Sequence, residues 1–227
     1  MNAWRWERWA GPVGGVVFVA LDVVGFALFH PPAVGDPIRE IVDYFRENRR
    51  EGVAATILGI VAVIPFLWLI GSLTARLWRA GEERTAAIAF SGAVVAAATV
   101  FIGSVVQGAL VHKAVIQGTG PTTKALYDVQ SVAYTFAWAP IVALTAATGI
   151  AVLRSATLPR WYGLASGAMA LLSLSACASL TQTGFYTPAG GWPLVVYIAF
   201  FVWVLATSLV LWQRSTAKED VPATSVR

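Results

Sequence analysis

Residues 53–74 read VAATILGIVAVIPFLWLIGSLT and contain no charged side chain. An α-helix of this length rises about 33 Å, which is enough to cross the ~30 Å hydrocarbon core of a bilayer. Backbone groups in lipid must be hydrogen-bonded within the chain, so an apolar stretch of this length predicts a transmembrane α-helix.

Five more apolar stretches of similar length occur along the 227-residue chain. Hydrophobic residues make up 57% of the chain and charged residues 12%, and the mean hydropathy is +0.68. This composition excludes a soluble globular domain and a disordered chain. We therefore predict one all-α membrane domain over residues 1–227, a six-transmembrane-helix bundle followed by a cytoplasmic tail at 213–227. The predicted spans are residues 12–29, 53–74, 85–111, 129–153, 161–180 and 192–212.

Positive charge predicts the orientation of the bundle. Lysine and arginine concentrate in cytoplasmic loops of membrane proteins. One side of the predicted bundle carries ten of these residues and the other side carries six. The ten-residue side includes both termini, so we expect both termini to be cytoplasmic in a bacterial plasma membrane. The six residues on the external side are Arg39, Arg46, Arg49, Arg50, Lys113 and Lys124.

The first span has an alternative interpretation as a signal peptide. Arg5 and Arg8 precede the apolar stretch, and residues 33–35 (Ala-Val-Gly) resemble a cleavage site. Asp22 lies inside the apolar stretch, which is atypical of a signal peptide. We therefore expect this segment to be retained as a span.

The loop between spans one and two predicts a short external amphipathic helix. Asp36 followed by Pro37 is typical of a helix start, with the aspartate as N-cap. One apolar stripe follows at helical spacing, and charged side chains cover the other faces. This helix either lies on the membrane surface or packs on the outer mouth of the bundle, or it acts as a binding lid or partner site. The stripe consists of Ile38, Ile41, Val42 and Phe45.

Asp22 is the residue most indicative of function. An aspartate at the centre of a span costs about 2.5–3.5 kcal/mol, so its carboxylate is expected to face other helices. Gly15 and Gly25 share its helical face, which predicts inward packing. The carboxylate is either a proton or cation site, or a polar anchor for a substrate, or a hydrogen-bonded packing residue.

Three polar residues in other spans are predicted to complete a ligand- or proton-binding cluster with Asp22. These are Gln107 in span three and Tyr134 and Thr135 in span four. Tyr197 in span six is a further potential partner. Each of these side chains is equally compatible with an ordinary interhelical hydrogen bond.

Metal and cofactor chemistry is not predicted. His30 and His112 alone could ligate a haem or a metal, but no carboxylate accompanies them at ligand spacing. Cys177 is the single cysteine, which excludes an intrachain disulfide. Phosphate-binding, zinc-protease and serine-hydrolase motifs are absent from the sequence, so we expect no enzymatic activity. Basic residues are scattered between apolar blocks, so we expect no nucleic-acid partner.

Local packing motifs complete the sequence-based predictions. Gly11 and Gly15, like Gly163 and Gly167, have the four-residue spacing of closely packed membrane helices. Prolines within spans two and four are expected to kink their helices.

Four stretches of the chain together carry a resemblance to a family: Asp36-Pro37, Tyr44-Phe45, residues 66–73 (FLWLIGSL) with Arg76, and residues 158–161 (LPRW). With these stretches the chain is similar, over nearly its whole length, to uncharacterised small six-span membrane proteins of high-GC Gram-positive bacteria, of the kind classified as domains of unknown function. The resemblance implies a plasma-membrane bundle with no assigned activity, and it supplies no catalytic residues.

Three functional hypotheses follow. The first is a small transporter-like or ligand-binding bundle in which Asp22 responds to protons or cations. The second is a non-transporting accessory or assembly subunit that contacts a membrane protein partner or a second copy of itself. The third is a haem or quinone redox subunit, whose haem form would show a visible absorption band.

Overall fold

The computed structural model describes residues 3–114, 119–181, 184–188 and 190–216. The predicted all-α class is confirmed, because the backbone within these ranges is helical and contains no β-strand. The predicted tail at 213–227 lies outside the described residues from position 217 onward.

Long α-helices joined by short connections make up the described chain. Their bounds are α1 Ala3–Leu28, α2 Ile38–Glu47, α3 Arg49–Arg79, α4 Glu83–Ala109, α5 Gly120–Phe136, α6 Trp138–Ser155, α7 Arg160–Cys177 and α8 Gly191–Thr216. A π-helical turn at Leu110–Ala114 extends α4, and 3₁₀ turns follow α7 at Ala178–Thr181 and Gly184–Tyr186.

Within the described residues, five segments are long and apolar enough to cross a membrane. They contain or closely overlap the predicted spans at 12–29, 53–74, 85–111, 129–153 and 192–212. The fifth predicted span, at 161–180, corresponds to the shorter helix α7, which ends at Cys177. The five segments are Trp9–Leu28, Arg49–Arg79, Glu83–His112, Gly120–Ser155 and Gly191–Gln213.

The helices pack as a closed ring in chain order. α1 packs against α3, α3 against α4, α4 against α6, α6 against α7, α7 against α8, and α8 returns to α1. The outer surface of the ring is apolar: Leu171 is 71% exposed, Leu164 65% and Val202 62%. Exposed apolar area of this kind marks a surface that a membrane or a partner covers. The buried centre includes Leu69, Ala93, Leu144, Tyr162 and Val204.

Glycines bring two helix pairs into backbone contact. A Cβ atom built on Gly14 of α1 would lie 2.6 Å from the carbonyl oxygen of Pro65 in α3. A Cβ on Gly92 of α4 would lie 2.7 Å from the carbonyl oxygen of Pro140 in α6. Only glycine allows these approaches, because a real Cβ is not found so close to another atom.

The two predicted glycine motifs differ in their packing. Gly11 and Gly15 both lie in tight contacts, with Ser72 of α3 and Ser208 of α8. Gly163 is also closely packed, but a Cβ built on Gly167 would meet no atom within 4 Å. The close approach that the spacing of Gly163 and Gly167 predicts is therefore present at Gly163 but not at Gly167.

Prolines act differently in the two predicted kink positions. α3 continues without interruption through Pro65. The long helical segment Gly120–Ser155 breaks at Ala137, three residues before Pro140. Pro140 has no N–H to donate to the carbonyl of Phe136, which explains a break at this point. The break separates α5 from α6 and lets α5 contribute its own polar face to the bundle.

α2 packs over one end of the ring. Ile41 and Phe45 are fully buried against Phe29, Tyr127 and Val111. The Tyr127 hydroxyl donates a hydrogen bond to the carbonyl of Pro32 at 2.5 Å, which ties the preceding loop to α5. α2 is therefore a packed helix held by an apolar contact with the bundle. We call α2, together with the apolar residues that contact it (Phe29, Val111 and Tyr127), the cap.

The start of α2 differs from the prediction. Asp36 is not its N-cap: Pro37 occupies the cap position, without a side-chain capping bond. The Asp36 carboxylate instead accepts a hydrogen bond from the backbone N–H of Ala33 at 2.7 Å. It stabilises the turn before the helix. Ile38, at the edge of the predicted stripe, remains 40% exposed.

Candidate functional site

Asp22 lies on the inward face of α1. Gly15 and Gly25 on that face are buried, whereas Val16 and Val23 on the opposite face are exposed. Asp22 is six residues, about 9 Å, from the end of α1 at Leu28. The carboxylate therefore lies in the half of the bundle nearest the cap.

One oxygen of the Asp22 carboxylate has a protein partner. Tyr197 of α8 donates its hydroxyl hydrogen to Oδ1 at 3.2 Å, across the contact between α1 and α8. Oδ2 is buried and has no hydrogen-bond partner among the described residues. A buried acceptor without a donor costs about 1–3 kcal/mol, and more when it is charged. A proton, a cation or a hydrogen-bond donor bound at Oδ2 would therefore stabilise the site.

Aromatic rings lie next to the Asp22–Tyr197 pair. The Tyr197 ring lies 4.4 Å from Phe201 and 6.2 Å from Trp138, measured between ring centroids. Phe18, one turn before Asp22 on α1, lies 6.0 Å from Phe201. This apolar side of the site favours a neutral carboxyl, or a carboxylate with a bound cation, over a bare charge.

Gln107 of α4 is the centre of a second polar cluster. Its side-chain amide donates to Thr56 Oγ1 of α3 at 3.0 Å. Its Oε1 accepts bonds from Gln130 Nε2 at 2.6 Å and from the Tyr134 hydroxyl at 3.3 Å, both on α5. Gln107 therefore joins three helices. We call Thr56, Gln107, Gln130 and Tyr134 the glutamine cluster.

The glutamine cluster also contains an unsatisfied acceptor. Gln130 is only 3% exposed, yet its Oε1 has no hydrogen-bond partner among the described residues. Tyr134 lies near enough to Asp22 and to Tyr197 to interact with both electrostatically. Tyr134 therefore brings the glutamine cluster near the Asp22–Tyr197 pair.

The structure brings Gln107 and Tyr134 together and places Tyr134 near Asp22. Thr135 does not join them, because its hydroxyl donates to the backbone carbonyl of Ser131 on its own helix at 2.9 Å. The sequence analysis did not identify Thr56 or Gln130. Gln130 precedes Tyr134 by four residues on one helical face, and this spacing was the available signal.

The contacts of His30 are with Phe26 and Tyr44, which belong neither to the Asp22–Tyr197 pair nor to the glutamine cluster. The His30 ring packs on Phe26 with centroids 4.5 Å apart, and its backbone N–H donates to the Tyr44 hydroxyl. His112 is exposed. Within the described part of the chain, no three His, Cys, Asp or Glu residues are grouped so that they could hold a metal ion.

Comparison with known proteins gives no assignment: no family model, no curated protein and no solved structure matches this chain.

Proposed function

We propose that the chain is a six-span plasma-membrane bundle in which α7 is the fifth complete span. α7 holds one position in the ring, between α6 and α8. Its 18 residues rise about 27 Å, close to the bilayer core, and a 3₁₀ turn extends it. Its outward leucines, Leu164, Leu171 and Leu174, are among the more exposed apolar side chains of the chain, as lipid-facing residues are.

The orientation proposed for this bundle has both termini in the cytoplasm and the α2 cap outside. Ten of the 16 lysines and arginines are on the terminal side under this topology, in line with the excess of positive charge in cytoplasmic loops. The resemblance to six-span proteins of high-GC Gram-positive bacteria supports a bacterial plasma membrane.

The function proposed for the bundle is transporter-like or ligand-binding, with Asp22 as its proton- or cation-responsive group. The observation that carries this proposal is the buried Oδ2 atom, which lacks a partner among the described residues. A proton, a cation or a ligand N–H would satisfy this oxygen. Intramembrane acids of this kind commonly mark ion and substrate pathways.

The class of ligand follows from the imbalance of donors and acceptors. Asp22 Oδ2 and Gln130 Oε1 are both acceptors without donors within the described chain. The hydroxyl hydrogens of Tyr134 and Tyr197 are already donated to other oxygens. A small ligand that enters here would therefore contribute donors, as an ammonium group or a protonated amine does.

Reconstituted liposomes test this function. Wild-type protein is expected to take up a small organic amine that carries N–H donors, and to do so in a pH-dependent manner. Tetraethylammonium is excluded because it has no N–H. Asp22→Asn is expected to remove the pH dependence. Asp43→Asn is the matched control, because Asp43 lies on α2, where its carboxylate pairs with Arg39 at 3.9 Å. The same pH-dependent uptake in wild type and Asp22→Asn would rule out this role for Asp22.

An accessory or assembly role is the second proposed function, and a different observation favours it. Among the described residues, the Asp22 carboxylate has one hydrogen-bond partner, Tyr197, in a closely packed contact between α1 and α8. The opposite face of α1 presents exposed valines, Val13, Val16 and Val17, to its surroundings. A partner helix or a second copy of the chain could cover this face. In that case Asp22→Asn would lower the yield or the thermal stability of a complex and change no flux.

A further inference from the structure

An open groove of about 600 Å³ lies between the end of α3 and the start of α4. Small side chains leave this space empty where the two helices face each other: Ala75 on α3, and Ala87 and Ser91 on α4. Trp78 and Phe90 form its larger walls. The groove is separate from Asp22, which lies near the opposite end of the ring.

The groove opens outward from the ring. Trp78 is 53% exposed and Phe90 is 44% exposed, and Ala75, Ala87 and Ser91 are exposed as well. In a membrane, this surface faces acyl chains. An elongated apolar chain is therefore the shape and chemistry that the walls accommodate.

Positive charge lies at the end of the groove nearest the loop between α3 and α4. Arg79 lines the groove, and its Nε donates to the Ala75 carbonyl at 3.1 Å. Arg84 is exposed and lies three residues before Ala87, on the same face of α4. Of the nearby acids, Glu82 pairs with Arg154 at 3.5 Å, and Glu83 is exposed at the first position of α4.

We propose that this groove binds a phospholipid with an anionic headgroup. One acyl chain would lie between Trp78 and Phe90, and the headgroup phosphate would contact Arg79 and Arg84. Arginine binds phosphate through paired N–H donors, and basic pockets between transmembrane helices commonly bind anionic headgroups. The proposal depends neither on the role of Asp22 nor on which end of the bundle is cytoplasmic.

Native mass spectrometry of the purified protein tests the proposal. The protein is given equal amounts of phosphatidylglycerol and phosphatidylcholine with identical acyl chains. Wild type is expected to retain phosphatidylglycerol in preference to phosphatidylcholine. This comparison needs no variant, so it remains decisive even if a substitution impairs folding.

Matched variants then locate the site. Replacing Arg79 and Arg84 together by glutamine is expected to weaken phosphatidylglycerol binding about twenty-five-fold, since each basic residue contributes a factor of about five. Ala87→Leu, which fills the groove, is expected to reduce binding several-fold. Arg39→Gln on α2 and Ala20→Leu on the exposed face of α1 are the controls and should bind as wild type does.

Three results would overturn the proposal. One is equal retention of the two lipids by wild type. Another is unchanged phosphatidylglycerol binding in the Arg79 and Arg84 double variant. The third is a two-chain species that replaces the lipid-bound monomer and is lost with Ala87→Leu, because the groove would then be an interface between copies of the chain.

Discussion

Gly14→Ala is expected to destabilise the bundle because it forces α1 away from α3. The added Cβ would lie 2.6 Å from the Pro65 carbonyl oxygen, about 0.8 Å inside the 3.4 Å at which ordinary contact begins. The obstructing atom belongs to the helix backbone and cannot rotate away. Overpacking of this kind costs about 1–3 kcal/mol, and the better helix propensity of alanine recovers at most ~1 kcal/mol.

Gly59→Ala is the matched control for this prediction. Gly59 lies within α3, and a Cβ built on it would meet no atom within 4 Å. This variant is expected to be as stable as wild type or slightly more stable. A difference of about 2 kcal/mol between the two variants corresponds to roughly 4–8 °C in Tm for a chain of this size.

Thermal unfolding in detergent or nanodiscs, followed by intrinsic tryptophan fluorescence, measures the difference. Gly14→Ala should unfold at the lower temperature and Gly59→Ala at or above the wild-type temperature. Equal Tm values for the two variants would contradict the close packing of α1 on α3 and, with it, the ring arrangement.

Two further comparisons test the polar cluster and the cap. Gln107→Leu should lower the free energy of unfolding by about 2–4 kcal/mol, because it leaves several buried partners without a hydrogen bond. Thr135→Val should lower it by less than ~1.5 kcal/mol, because the Thr135 hydroxyl donates to a carbonyl of its own helix. Chemical unfolding measures both, and equal effects would contradict the central place of Gln107. Phe45→Ala should cost about 3–5 kcal/mol and release α2 to protease, and Ile38→Ala, at a 40% exposed position, should leave the cleavage pattern unchanged. Resistance of α2 to protease in Phe45→Ala would show that the cap does not depend on this ring.

Helix positions were largely predictable from the sequence, because uncharged stretches of some 20 residues have one stable form in lipid. The helix break at Ala137 was harder to predict from the sequence. Pro140 signals a missing donor, but the same residue type at Pro65 leaves α3 unbroken. The effect of a proline depends on whether neighbouring helices hold the helix segments before and after it in line. The residue pattern of one helix does not reveal packing of that kind.

The candidate site was predictable in its residue types more than in its pairings. An aspartate inside a span stands out because of its cost, and Gln107 and Tyr134 stand out as polar groups among apolar ones. Which of them meet depends on helix rotation, which sequence spacing does not give. Thr135 shows the difficulty: it neighbours Tyr134 in sequence, but its hydroxyl bonds to Ser131 on the same helix.

The start of α2 shows a similar limit. Asp36 followed by Pro37 has the composition of a cap, but a side-chain carboxylate can serve either the helix after it or the turn before it. The Ala33 N–H is the group that Asp36 reaches. Local patterns therefore gave the position of the helix correctly and the role of its first acid wrongly.

Infrared difference spectroscopy of the reconstituted protein during a pH change gives the most direct test of the proposed role of Asp22. Subtracting the Asp22→Asn spectrum from that of wild type isolates the carboxyl stretch of this one group. A reversible carboxyl band that is absent from Asp22→Asn and shifted in Tyr197→Phe is expected, because Tyr197 donates to Oδ1. Superimposable difference spectra for wild type and Asp22→Asn would contradict a proton-responsive group at this position.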